Sequence, residues 1–272
     1  MSNRTESQRP FLAAAALLFA ASIAATIAAC RAMAAMDDMP MPGGWTLSMM
    51  WMRMPGQTWP GIAAAWLGMW QTMTVAMMLP VLLPPLQRYR ARLGRVPARR
   101  IDALTAGVAL AYFTVWALLG AGVFALGAGL AACVLESAAL ARAMPLAIGA
   151  TVLAAGLLQF STWKRRRLAC CRDACVAGRV CSGRTGATEA DVASAGHAWR
   201  FGVRLGVDCV QCCAGPTAVL LAAGMMDLRA MALVTAAICL ERLAPGGERV
   251  ASQIGACAVA AGCLLLLRAA LT

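Results

Sequence analysis

The run GIAAAWLGMWQTMTVAMMLPVLL (residues 61–83) contains no charged residue, and QRYRARLGRVPARR (residues 87–100) follows it with six arginines. About 20 apolar residues suffice for a helix to cross the roughly 30 Å hydrocarbon core of a bilayer, so the first run is long enough to span. Arginine-rich segments beside a span stay on the cytoplasmic side. The pair therefore fixes an element and its direction: a transmembrane helix whose C-terminal end lies inside.

The same pattern repeats on both sides of this pair. Further apolar runs fall at about residues 11–29, 103–126, 145–163, 201–223, 229–243 and 250–267. Arg4 and Arg9 precede the first, Arg165, Arg166 and Arg167 follow the fourth, and Arg249 lies between the last two. Placing every basic segment inside predicts an all-α, polytopic transmembrane bundle of about seven spans, N-terminus in and C-terminus out. Residues 1–60 read as a first transmembrane helix plus a Met-rich extracytoplasmic segment. Residues 61–272 read as a six-helix membrane domain with a basic, Cys-containing cytoplasmic loop at 164–199. Pro80, Pro84 and Pro85 are expected to end the second span, and an outer connection carrying Glu136 and Arg142 to join the third to the fourth. The sixth run is short and contains Glu241. The first has a rival reading as a cleaved leader, with IAAC ending at Cys30 as a processing box, but it exceeds the roughly 7–15 residues of a leader's apolar core.

Composition narrows the function classes. Hydrophobic residues make up 61% of the chain, against about 45–50% in soluble domains, and mean hydropathy is +0.70. The net charge of +12 sits between spans, where it reports orientation and favours anionic headgroups, so no nucleic-acid partner is expected. One histidine, His197, excludes a His-rich zinc or iron site and reads as interfacial. The 12 acidic residues lie mostly in loops, which argues against a carboxylate cage for hard cations. No nucleotide-binding glycine motif is present, so ATP-driven pumping is excluded. Sulfur is plentiful: 12 Cys and 17 Met.

The sulfurs fall in four groups. The outer segment MAAMDDMPMPGGWTLSMMWMRMPGQTW (residues 33–59) carries methionines in MxxM and MxM spacings. Thioethers do not protonate and suit Cu(I) in an oxidising compartment, which makes Met49, Met50, Met52 and Met54 candidate ligands. With Trp45, Trp51 and Trp59 the same segment also fits an amphipathic layer in the membrane interface. In the second span Met69, Met73 and Met77 share a helical face and Met78 sits beside it. Met73, Met77 and Met78 are either ligands or flexible packing. In GVDCVQCCAGPTAV (residues 206–219), Cys209, Cys212 and Cys213 occupy one helical face, extended by Gly202 and Gly206. These thiols either pack a tight helix interface or form a soft-metal or redox site; Cys212 and Cys213 are expected to matter most. The inner loop holds Cys170, Cys171, Cys175 and Cys181 among arginines that favour thiolate. It reads as a site of metal exchange or as a plain basic loop.

Several elements occur in a particular order: MTVAMMLP (residues 73–80), Gln159–Phe160 with Lys164, Cys171–Arg172, CVQCC (residues 209–213), GMMDL (residues 224–228) and LER (residues 240–242). Together they resemble the bacterial family of predicted metal-binding integral membrane proteins, domain of unknown function 2182, over about residues 61–267. The resemblance implies metal binding, a bacterial inner-membrane location, and a role for Cys171, the pair Cys212–Cys213 and the methionines. This chain has Arg167 where that family usually has a cysteine and Ala214 where it often has a tryptophan.

Three functions remain open. The chain binds, and in one version transfers, a soft metal ion, with copper(I) the ion that Met and Cys ligands favour. It is a structural or accessory membrane subunit without a site. Or it is a membrane thiol redox protein using Cys209 and Cys212, the only enzymatic reading among the three. Its expected partners are the lipid bilayer, the metal ion and a membrane or periplasmic protein.

Overall fold

A computed structural model describes residues 2–34, 39–53, 56–93, 96–177, 193–225, 227–244 and 246–271. Among these, eight α-helices dominate: α1 (Ser2–Ala34), α2 (Trp59–Arg92), α3 (Ala98–Glu136), α4 (Ala138–Gln159), α5 (Thr162–Ala177), α6 (Ala195–Ala223), α7 (Leu228–Leu243) and α8 (Gly247–Leu271). A small antiparallel hairpin, β1 (Met39–Met41) with β2 (Trp45–Leu47), pairs Met39 with Leu47 and Met41 with Trp45. The fold is all-α, as expected.

Six helices, α1, α2, α3, α4, α6 and α8, are long and apolar enough to cross a membrane. The seventh expected span, α7, has 16 residues, about 24 Å of helix and so shorter than a typical hydrocarbon core. The outward surface suits lipid: Leu17, Leu118, Leu126, Leu233, Leu264 and Leu267 are all more than half exposed.

Side-chain contacts give the helix directions. Trp66 and Trp70 of α2 donate their indole N–H groups to the carbonyls of Gly120 and Trp116 of α3, so those helices run antiparallel. Gly202 and Gly206 of α6 lie against Val108 and Tyr112 of α3, so these two run parallel. A Cβ at Gly202 would overlap the Val108 carbonyl, and this absence of bulk lets the two backbones meet. Helices α4 and α8 run antiparallel along a seam where Gly156 faces Val259 and Gly262 faces Leu153. Helix α1 joins the bundle as well: Phe11 lies under the Arg90 guanidinium and Cys30 is buried in the main core.

Three sequence expectations change. Helix α2 runs without a break through Pro80, Pro84 and Pro85, although each proline removes one intrahelical N–H donor. Proline is tolerated inside a packed membrane helix, where neighbours hold the segment, so it marks no boundary here. The outer connection collapses to Ser137: α3 extends to Glu136, and the Ser137 hydroxyl accepts from the Leu140 N–H to cap α4. The inner loop begins as a helix, α5, which packs on α6 and α7.

Candidate metal centre

The buried stripe of α6 comprises Ala198, Gly202, Leu205, Gly206, Cys209, Cys212, Cys213, Pro216 and Leu220. Its spacing is that of one helical face, so the three cysteines turn inward together. Their exposures are 0% for Cys209, 1% for Cys212 and 2% for Cys213. Cys209 lies midway along its helix.

Four helices converge on Cys209. Its Sγ stands 3.9 Å from Cys213 Sγ and 4.0 Å from Met78 Sδ of α2. The Tyr112 hydroxyl of α3 donates to it at 2.9 Å, and so does Arg242 Nη1 of α7, also at 2.9 Å. Close approach at Gly206, where an added Cβ would lie 3.0 Å from the Tyr112 carbonyl, sets α3 against α6 beside this sulfur.

Cys212 touches Cys213 on one side and Cys171 on the other. It shares a small buried cluster with Cys171, Leu168 and Ala251, and Cys171 Sγ lies 3.4 Å from the Asp208 carbonyl. Beside this cluster is a buried polar chain. Lys164 Nζ donates to the Cys212 carbonyl at 2.6 Å and to Glu241 Oε2 at 2.9 Å, while Gln159 Nε2 donates to Glu241 Oε1 at 2.8 Å. Buried charges of this kind persist only when paired and hydrogen-bonded. Arg242 is buried too, and its Nε has no hydrogen-bond partner.

A second group of sulfurs lies toward the hairpin. A cavity of about 360 Å³ is lined by Met33, Met50, Met52 and Met69 together with Gln57 and Trp66. The outer segment is docked rather than loose: Trp45 Nε1 donates to the Ala141 carbonyl at 2.9 Å, and Trp51 packs on Trp66 with ring centroids 4.5 Å apart. From Met69 to Met78 helix α2 rises about 13 Å, with Met73 and Met77 buried between them in the same core as Cys209.

The structure thus brings together Cys209, Cys213 and Met78, and through Cys212 it joins them to Cys171. Met50 and Met52 line one cavity with Met33 and Met69, neither of them a candidate ligand from sequence. The side chain of Met49, and Met54 altogether, lie outside the described residues, as do Cys181 and the side chains of Cys170 and Cys175. Among the described residues no three His, Cys, Asp or Glu side chains converge on a common point, so a three-donor site exists only if the Met78 thioether counts. Tyr112, and the roles of Arg242, Lys164 and Gln159, were missed from sequence. The available signal was ionisable residues inside apolar runs, which at membrane depth are rarely idle.

The site thus defines a class only coarsely: an all-α protein, six of whose helices are long and apolar enough to cross a membrane, with the Cys209 sulfur buried about 4 Å from those of Cys213 and Met78. The chain belongs to the PpoB2 copper chaperone family, whose model matches residues 67–265 and so takes in every residue of the central cluster. That family carries a different description from the one the motifs resemble, and the two agree on metal. No curated protein and no solved structure is detectably similar to the chain.

Proposed function

We propose that the protein is a multi-pass bacterial inner-membrane copper chaperone that holds Cu(I), its cargo, on Cys209, Cys213 and Met78. The observation that carries the reading is the sulfur spacing of 3.9 and 4.0 Å around Cys209, in a chain of a copper chaperone family. Three sulfurs bound at about 2.3 Å to one ion in a plane stand about 4 Å apart. The donor set is soft and dry, which favours Cu(I) over harder ions. On binding, the two thiols release their protons and no electron moves. Purified under argon and loaded with Cu(I), the protein should carry about one firmly held copper per chain by mass spectrometry. A chain that retains none would contradict the reading.

The methionine cavity fits the uptake step, with Met69, Met73 and Met77 as a run of thioethers leading inward. Changing Met33, Met50, Met52 and Met69 together to leucine keeps apolar bulk and removes the soft donors. Stopped-flow loading should slow by about tenfold or more while the final copper content stays the same, because thioethers here act on delivery and not on the thiolate site. An unchanged rate would assign the cavity to packing.

Seven crossings, N-in and C-out, remain the topology we favour, with α7 as a short crossing held by protein rather than lipid at its Glu241 end. A reporter active only outside should work when fused after Ser137 or Leu271 and fail after Leu93. Activity after Leu93 would reverse the assignment.

A further inference from the structure

We infer that Arg242 matches the charge of the buried sulfur cluster to a monovalent soft cation and selects against divalent ones; the inference rests on the copper site proposed above. Nearby charges are otherwise accounted for. Glu241 is matched by Lys164 at 2.9 Å, and Asp208 by Arg167 at 3.6 Å. Among the described residues Arg242 forms no ion pair with a carboxylate; its Nη1 donates to Cys209 Sγ, its Nε is unpartnered, and it is 4% exposed. A buried guanidinium needs a counter-charge; among the described residues it donates to the Cys209 thiol, while Asp208, which also feels its charge, is paired with Arg167.

With a metal bound, the two cysteines have each lost a proton and contribute two negative charges. Met78 contributes none, and Tyr112 donates its hydroxyl to Cys209. Arg242 contributes one positive charge. Adding Cu(I) or Ag(I) brings the buried total to zero, while a divalent ion leaves one positive charge uncompensated where the dielectric is low. Without Arg242 the balance inverts: the divalent ion becomes neutral in the site and the monovalent ion leaves a net negative charge. Sulfur softness alone would not make this distinction between Ag(I) and a thiophilic divalent ion such as Cd(II) depend on a residue that is not a ligand.

The test uses the full chain in detergent and competition titrations with Ag(I) and Cd(II). In Arg242→Gln and in Arg242→Met, which preserves apolar bulk where glutamine is not tolerated, the Ag(I)-to-Cd(II) affinity ratio should fall by about tenfold or more, since an uncompensated charge in a dry site dominates the other differences. Arg242→Lys keeps the charge and should keep the ratio. Equal losses for both ions in the glutamine and methionine variants would mean that Arg242 only holds the structure, and would overturn the inference. So would a lysine variant whose ratio falls as far as theirs. A wild-type protein that binds neither ion would instead remove the copper site itself.

Discussion

Serine at Cys209 or at Cys213 should weaken Cu(I) binding by about a hundredfold or more, because loss of a residue that merely supports a ligand already costs about 10–100-fold and these would be ligands. Serine keeps the shape of cysteine, but its hydroxyl is a poor donor to a soft ion. Cys171→Ser, on α5 and two sulfurs removed from Cys209, should change affinity by less than about threefold on the same reasoning. Cys212→Ser should fall between them, since its thiol touches the ligand Cys213, whereas the sulfurs that Cys209 meets are those of Cys213 and Met78. Anaerobic competition against a Cu(I) chelator measures all four. The sequence alone ranks Cys212 with Cys213; the geometry ranks Cys209 with Cys213, and the titration decides between the two orders. Equal affinities across the set would make the thiols packing residues.

The second large effect is on stability. Lys164→Met should destabilise the bundle by about 3–5 kcal/mol, because it strands the Glu241 carboxylate without its cation in the interior. The side chains of this pair are 4% and 2% exposed, so water offers little relief. The single Glu241→Met change should cost a similar amount. The double change Lys164→Met with Glu241→Met should recover most of the loss, since replacing both members of a buried ion pair with apolar groups of similar size is often neutral or better. Unfolding titrations in mixed micelles give the three values. A double variant as unstable as either single one would show that the Lys164 bonds to the Cys212 carbonyl and Glu241 act as more than a charge pair.

Much of the architecture was legible because hydropathy and basic flanks are local signals. Six of the seven apolar runs became helices of membrane-spanning length. The seventh became α7, whose apolar run is cut short by Glu241 and Arg242, and these are buried only because Lys164, Gln159 and Cys209 meet them from other helices. The inward face of the three cysteines was legible for the same reason, since residues three and four apart share a helical face. What they face was not. Whether Met77 or Met78 reaches the thiols depends on how α2 is rotated, and that rotation is set by Trp66 and Trp70 anchoring on α3 carbonyls more than 40 residues away. Tyr112 carried no local sign of its role; it reaches Cys209 because Gly202 and Gly206 let α3 close on α6. The prolines misled because their boundary rule assumes a solvated backbone, and α2 is packed on several sides. Ser137 turns the chain within a single residue where the hydropathy pattern suggested a longer connection.

The central claim is that one Cu(I) sits between Cys209, Cys213 and Met78, and X-ray absorption at the copper edge addresses it directly. The protein would be produced with selenomethionine and loaded anaerobically with one equivalent of Cu(I). The account predicts a low-coordinate Cu(I) with a sulfur shell and one selenium neighbour, the selenium signal vanishing in Met78→Leu and the sulfur shell shrinking in Cys209→Ser and Cys213→Ser. A shell of nitrogen or oxygen, or a spectrum unchanged by all three substitutions, would contradict it.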